Sequence, residues 1–286
     1  MKKGVSKIDF HIHTTVSDGT DSPEKLFDIV RKTGIDAFSV TDHDAVKAAL
    51  SIRPLLDNNA PLFIPGVEFS CRDEEGKYHI LGYGFDPENE SIRRVVDLGH
   101  ELRMKKVRAR LDFLNTEFGF SFPEDEIKEL LSLDNPGKPH IGNLMVKYGY
   151  AENKNKAIKD YIDRVHFKSE YVRPEQAIEG ILGANGIPVL AHPVYGSGDE
   201  LILGADLDNR VNKLMGFGLQ GVEGFYSGFS EKMRFEVIEI AERYGLYITA
   251  GSDYHGDNKW VHLGDIGVNI LSQFPSGLIR FLDLFE

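Results

Sequence analysis

KIDFHIHTTVSDGT, residues 7–20, alternates apolar Ile8, Phe10 and Ile12 with polar Asp9, His11 and His13, which is the two-residue period of a β-strand. His11 and His13 therefore leave the strand on one face, just before a polar loop. Two imidazoles that close at a strand end make a chelating pair. The SDG turn that follows adds Asp18, placed to fold back towards them. A single His-x-His motif carries little weight, so the reading depends on whether the same pattern recurs along the chain.

It does. AFSVTDHD (37–44) ends an apolar run with Asp42, His43 and Asp44. LFIPGVEFS (62–70) carries Glu68 inside an otherwise apolar strand, where an unpaired carboxylate is costly to bury and a metal ion or an ion pair must compensate it. KYHILGYGF (77–85) holds His79 in a similar setting, IPVLAHP (187–193) ends in His192 before a proline, and YITAGSDYHG (247–256) repeats the two-residue spacing in Asp253 and His255. Taken singly, each of these is a hydrogen-bonded core residue as readily as a ligand. Taken together, six of the ten histidines end or interrupt apolar β-like segments beside carboxylates, which points to one metal centre. The donors are hard or borderline nitrogen and oxygen atoms, suited to zinc, manganese or ferrous iron.

The β-like runs fall at about 7–13, 36–41, 62–69, 77–84, 187–192, 219–225 and 247–252, mostly separated by helical patterns. That alternation predicts an α/β fold with a largely parallel barrel or sheet, whose chemistry belongs at the strand ends that lead into loops. SPEKLFDIVRKTG (22–34) shows why the intervening segments are helical: Ser22 caps, Pro23 suits the first turn and Gly34 stops the helix. Similar units recur at 173–185 and 230–244. Between them SIRRVVDLGHELRMKKVRARLDFLNTEFG (91–119) and FPEDEIKELLSL (122–133) carry helical patterns with no convincing strand. The expected division is a barrel from 1–90 and 170–286, with a helical insertion at 91–169 covering the active site. The insertion's basic run, Arg103, Lys105, Lys106, Arg108 and Arg110, reads either as a solvated helix face or as a flap presenting cations to phosphates.

Composition narrows the function classes. A chain of 286 residues with 41% hydrophobic content can bury one sizeable core. The formal charge of −12 gives no general attraction to long duplex nucleic acid, so phosphate must be drawn in locally. With Cys71 alone, an internal disulfide and cysteine-based zinc sites are both excluded, and a cytoplasmic location is the default. Asp9, His11 and His13 interrupt any apolar signal segment, and no run reaches the roughly 18 residues needed to span a bilayer. Cys71 is assigned no chemistry. His100, His166 and His262 read as surface residues, Trp260 as core or loop packing, and Glu223 and Tyr226 as residues that line the pocket or serve ordinary barrel packing.

The ordered set of HIH, SDG, TDHD, GVEFS, HILGY, AHP and SDYH segments resembles the polymerase and histidinol phosphatase, or PHP, domain over nearly the whole chain. That resemblance implies a distorted (β/α)7 barrel with two or three divalent metal ions (manganese, zinc or iron) at the C-terminal ends of its strands. By analogy His11, His13, Glu68 and Asp253 hold one ion, Glu68 bridges to a second held by His79 and His192, and Asp18, His43 and His255 complete a third site. Some relatives carry histidine in place of Asp18.

Aspartate at that position, the helical insertion and KPHIGNLMVKYGY (138–150) look most like the branch that removes phosphate from AMP or nucleoside 3′,5′-bisphosphates, with the 5′ ends of short RNA as a further substrate. The resemblance implies a phosphoric monoester hydrolase acting through a metal-activated hydroxide, with Glu68, His192 and His255 as catalytic residues and His140, Lys138 and Arg103 contacting a small phosphorylated substrate. Two alternatives remain open on the residues alone, beside a nuclease of long polymers, which the negative charge disfavours. One is a histidinol-phosphate-type phosphatase of a small metabolite, and the other is a non-catalytic metal-stabilised binding module.

Overall fold

The computed structural model describes residues 6–165, 170–197, 200–268 and 274–285. In chain order its strands are β1 (Ile8–Asp9), β2 (Ala37–Val40), β3 (Leu62–Arg72), β4 (Lys77–Tyr83), β5 (Ile187–Leu190), β6 (Gly221–Tyr226) and β7 (Tyr247–Gly251). The helices are α1 (Pro23–Thr33), α2 (Lys47–Ile52), α3 (Glu90–Phe118), α4 (Glu124–Ser132), α5 (Lys138–Lys147), α6 (Lys154–Asp160), α7 (Pro174–Gly183), α8 (Ala205–Gly216), α9 (Glu231–Tyr244) and α10 (Ser276–Asp283). The α1 signals act as the sequence predicts: the Ser22 side chain accepts the Lys25 amide at 3.2 Å, and Gly34 ends the helix at φ 67°. No helix among the described residues is long and apolar enough to cross a membrane.

The strands pair in sequence order from β1 to β7. Beyond β7 the sheet curls back on β1: the Phe10 amide donates to Ala250 O at 2.8 Å, and Ile12 bridges Tyr254. The result is a nearly closed, distorted (β/α)7 barrel. Gly251 makes the closure possible, because a Cβ there would lie 2.2 Å from His11 Cβ and 2.9 Å from the His11 amide nitrogen. Any larger residue would push the two strands apart at the start of the HIH segment.

One strand departs from the parallel expectation. β4 is antiparallel to both β3 and β5, because only residues 73–76 join β3 to β4. A connection that short forms a hairpin and cannot carry a crossover. Its turn is held by the Asp73 carboxylate, which accepts the Glu75 amide at 2.9 Å. The reversal has a chemical effect: the beginning of β4 lies at the same rim as the ends of the parallel strands, so His79 pairs in register with Ser70 and approaches Glu68.

Tyr83, Phe10 and Phe281 fill the far end, with Phe281 edge-on to both other rings at 5.3 and 5.5 Å. Ile92, Val95 and Leu102 from the first half of α3 belong to the barrel's own apolar core. From Val107 onward α3 packs instead with Leu130, Ile141, Met145 and Ile162 in a separate core. The change of packing partner thus lies inside a continuous helix, which carries the helical segment out over the rim.

Candidate metal centre

The polar residues of 9–13 are buried at the barrel mouth, and each has a fixed partner. Asp9 ties β1 to the loop after β7, accepting the Ser252 amide at 2.9 Å, the Ser252 hydroxyl at 2.6 Å and the Gly264 amide at 2.7 Å. Asp42 folds the 14–17 loop over the rim by accepting the Thr14 amide at 2.8 Å and the Ser17 hydroxyl at 2.6 Å. His11, His13, His43, Glu68, His79, His192, Asp253 and His255 then converge, with Asp18 at the edge.

Glu68 is the hub. Its Oε2 lies 3.3 Å from His11 Nε2, 3.2 Å from His13 Nε2 and 3.0 Å from His43 Nδ1, while Oε1 lies 2.7 Å from His79 Nδ1 and 3.4 Å from His192 Nε2. Asp253 Oδ1 is 3.6 Å from His11 Nε2, 3.3 Å from His13 Nε2 and 3.4 Å from His255 Nδ1. Asp18 Oδ1 is 3.1 Å from His255 Nε2, and its Oδ2 is 3.9 Å from His43 Nε2.

Donor atoms fall into three overlapping groups, each spanning no more than 4.8 Å: His13, Asp18, His43 and His255; His11, His13 and Asp253; His43, Glu68 and His79. Eight of the nine ligands expected from the sequence fall in these groups, and the grouping differs from the expected one: His13 and His43 each belong to two groups, Glu68 groups with His43 and His79, and His192 is in none of the three.

Outer acceptors explain why these nitrogens point inward. His11 Nδ1 donates to Glu223 Oε1 at 2.9 Å, His13 Nδ1 faces Ser17 Oγ at 3.4 Å, and His255 Nδ1 donates to the Asp253 carbonyl at 2.8 Å. A ring whose Nδ1 carries the proton presents the Nε2 lone pair on its other side. His11 Nε2, His13 Nε2, His43 Nδ1 and Glu68 Oε2 are buried and lack any hydrogen-bond partner. Each such orphan costs about 1–3 kcal/mol, and four of them aimed at shared points are what a cation would satisfy. The donor chemistry therefore fits divalent metal ions. Backbone strain concentrates here too: Asp44, His192 and Asp253 adopt positive φ of 50°, 27° and 59°.

Without a metal the cluster must hold protons instead. Burial opposes charge on Glu68, yet His43, His79 and His11 hold its carboxyl well below the usual range. Asp253 is held low by His11 and Lys259 against the same burial. Burial disfavours a charged His13, but Asp253 and Glu68 raise it to about 9. For His255, burial first and His13 next push it down to about 4.

A metal ligand must be unprotonated, so binding near neutral pH displaces a proton from His13. Apparent metal affinity is expected to fall about tenfold per pH unit between pH 8 and 6, with at least one proton released per ion in calorimetry. A pH-independent affinity would contradict this account. The sign for the metal-free fold is opposite. A folded value raised above 6.5 stabilises below 6.5, and that stability is lost as pH rises through about 9.

Residues that sequence reasoning left ambiguous or missed also have clear places. Glu223 is fully buried in β6, accepting from His11 and from the His192 amide at 2.7 Å. Tyr226 donates its hydroxyl to Asp253 Oδ2 at 3.0 Å, and Lys259 reaches the same oxygen at 2.5 Å. Both Glu223 and Glu68 interrupt apolar strands, so the same signal marks both; Lys259 carries none. His100 has a partner after all: its Nδ1 donates to the Asp134 carbonyl at 2.9 Å. Trp260 does not pack in a core or loop and is fully exposed. His262 is exposed as expected, Cys71 is buried, and His166 lies outside the described residues.

The helical segment supplies the other wall. Asn135 donates to the His43 carbonyl, and Arg103 pairs with Asp44. A cavity of about 230 Å³ opens between Asp18, His43 and His79 on the barrel side and Arg103, Lys106, Arg110 and Lys138 on the helical side. Lys138 also pairs with Asp163. His140 stands one turn back, its Nδ1 accepting the Gly137 amide at 3.1 Å, so one ring nitrogen is committed to starting α5.

A PHP domain model matches residues 9–172. A 5′-3′ exoribonuclease of Haemophilus influenzae is 26% identical over 261 residues, covering 90% of this chain and 93% of the relative. A 3′,5′-nucleoside bisphosphate phosphatase of Chromobacterium violaceum is 26% identical, covering 89% of each. A solved structure from Bifidobacterium adolescentis superposes with TM-score 0.79 at 24% identity, covering 97% of this chain and 96% of that one.

Proposed function

The chain belongs to the PHP domain family of phosphoesterases, and from that premise we propose that it hydrolyses phosphate monoesters of nucleotides, AMP or a nucleoside 3′,5′-bisphosphate, with short 5′-phosphorylated RNA as a further substrate. The observation that carries the proposal is the set of four orphaned, buried donor atoms beside a cavity walled by cations. The relatives named for nucleotide and RNA hydrolysis support the choice of substrate.

In this reading His11, His13, Asp253 and Glu68 hold one metal ion; Glu68 also serves a second with His79 and His192; Asp18, His43 and His255 take a third. Divalent ions held there supply Lewis acidity, which lowers the pKa of water from about 15.7 towards about 7 and neutralises charge on phosphoryl oxygens. Everything else falls to the chain. Glu68 and Asp253 set the charge of the site, and Glu223, Ser17 and the Asp253 carbonyl keep the ring lone pairs inward. His192 and His255, expected as catalytic residues, would stay unprotonated as ligands, so their part in this reading is to hold the ions. Arg103, Lys138 and His140 orient the phosphoryl oxygens from the helical side.

A panel of AMP, adenosine 3′,5′-bisphosphate, 5′-phosphorylated dinucleotide and histidinol phosphate tests the reading by phosphate release. A kcat/KM at least tenfold higher for a nucleotide is expected. Preference for histidinol phosphate would replace the nucleotide reading with a small-metabolite one, and no release from any ester would end the proposal.

A further inference from the structure

The imidazole cluster continues into a group of phenol and phenyl rings on one side only. His192, after β5, lies 5.4 Å from the Tyr226 ring and 6.3 Å from the Tyr195 ring, centre to centre. Tyr195 and Tyr226 stand 5.9 Å apart, and Phe229 meets them at 6.0 and 5.3 Å. Phe229 is buried and forms the floor, whereas both tyrosines stay half-buried at the rim. Among the described residues these are the tyrosines in ring contact with a histidine of the cluster.

Both rings are held in place at their polar ends. The Tyr195 hydroxyl donates to the Gly228 carbonyl at 2.7 Å, and the Tyr226 hydroxyl to Asp253 Oδ2 at 3.0 Å. The loop after β6 comes so close to them that a Cβ at Gly228 would lie 2.8 Å from Tyr226 Cε1 and 3.1 Å from the Tyr195 hydroxyl. Rings fixed in advance lose little freedom when a flat partner settles on them. Rings that served only to fill the junction of two loops would be covered, as Phe229 is.

Charge and aromatic surface occupy different arcs of the mouth. The cationic cavity touches Asp18, His43, Ser70 and His79, which belong to the first four strands and the loops that follow them. Tyr195 follows β5 and Tyr226 ends β6. A ribose separates the phosphorus of a nucleotide from its base, and one ring-to-ring step separates His192 from each tyrosine. A phosphate held among the imidazoles and cations thus leaves its base within reach of the aromatic arc.

We propose that Tyr195 and Tyr226, on the floor made by Phe229, form a stacking subsite for the nucleobase of the substrate, so that these rings select nucleotides over phosphate esters without a base. The inference rests on the nucleotide reading and adds to it the residues that recognise the base. Stacking of a base on an aromatic side chain is strong enough to change affinity by tenfold or more. No covalent step is involved.

Two ligands that cannot be hydrolysed test it. Metal-loaded protein is titrated by calorimetry with methylphosphonate and with the phosphonate isostere of AMP, in which a methylene group replaces the ester oxygen. Wild type is expected to bind the adenosine phosphonate at least about tenfold more tightly than methylphosphonate. Tyr195→Leu should lose about tenfold for the adenosine compound and nothing for methylphosphonate, and Tyr195→Phe, which keeps the ring, should retain the preference. An unchanged preference in Tyr195→Leu would overturn the subsite. An equal loss for both ligands would do the same, since it would make the ring a support for the metal centre.

The ratio of kcat/KM for AMP to that for ribose 5-phosphate should fall about tenfold in Tyr195→Leu as well. Protein that prefers the adenosine phosphonate yet releases no phosphate from any ester would retire the hydrolytic reading and leave the base subsite standing. Protein that hydrolyses AMP but binds both phosphonates equally would retire the subsite alone.

Discussion

Glu68→Gln is expected to lower kcat by about 10³-fold, the upper end of what removing one preorganised electrostatic group costs. Glutamine keeps the shape of the side chain and can still meet one or two imidazoles, so the barrel should survive with an unaltered circular dichroism spectrum. What it loses is the charge. Five histidine rings approach the carboxylate between 2.7 and 3.4 Å, from the segment after β1, the loop after β2, β4 and the loop after β5. No other carboxylate in the cluster is met by so many of the strands, so no neighbour can replace it. Metal analysis of the purified variant should find fewer ions per chain, and added metal should not restore turnover. Full metal content with kcat within tenfold of wild type would remove Glu68 from the centre of the site.

The ligands were legible in the sequence because each sits where a strand's apolar alternation stops. Asp9, His11 and His13 keep the two-residue period, and Asp253 and His255 repeat it. The barrel was legible for the same reason, since strands buried on both faces leave short continuous apolar runs. What local pattern cannot encode is the partner across the barrel. Glu223 stands 212 residues from His11 and meets it only because β7 closes on β1. The antiparallel β4 follows from the length of one turn, which is present in DEEG (73–76) but is easily read as a gap in an otherwise parallel series. Within the basic run, spacing separates Arg103, Lys106 and Arg110 from the outward Lys105 and Arg108, yet only the fold shows that Asp44 answers Arg103 and leaves Lys106 without a carboxylate.

Glu223→Gln should weaken metal binding by about 10–100-fold, the range seen when the group orienting a ligand is altered. The carboxylate accepts two donors at once, the His11 ring N–H at 2.9 Å and the His192 amide at 2.7 Å, so it joins a ligand that follows β1 to one that follows β5. An amide offers one oxygen for the two donors. Its NH₂ must then face either the His192 amide, leaving two donors opposed, or the His11 ring, which answers by moving its proton to Nε2 and turning the lone pair away from the site. Both outcomes weaken His11 as a ligand while leaving Glu68 and Asp253 in place. At limiting metal kcat/KM should fall in step with affinity, and at saturating metal most of the loss should be recovered, unlike the loss in Glu68→Gln. An unchanged metal dissociation constant would reduce Glu223 to barrel packing, and a loss that excess metal does not rescue would give it a part in the chemistry itself.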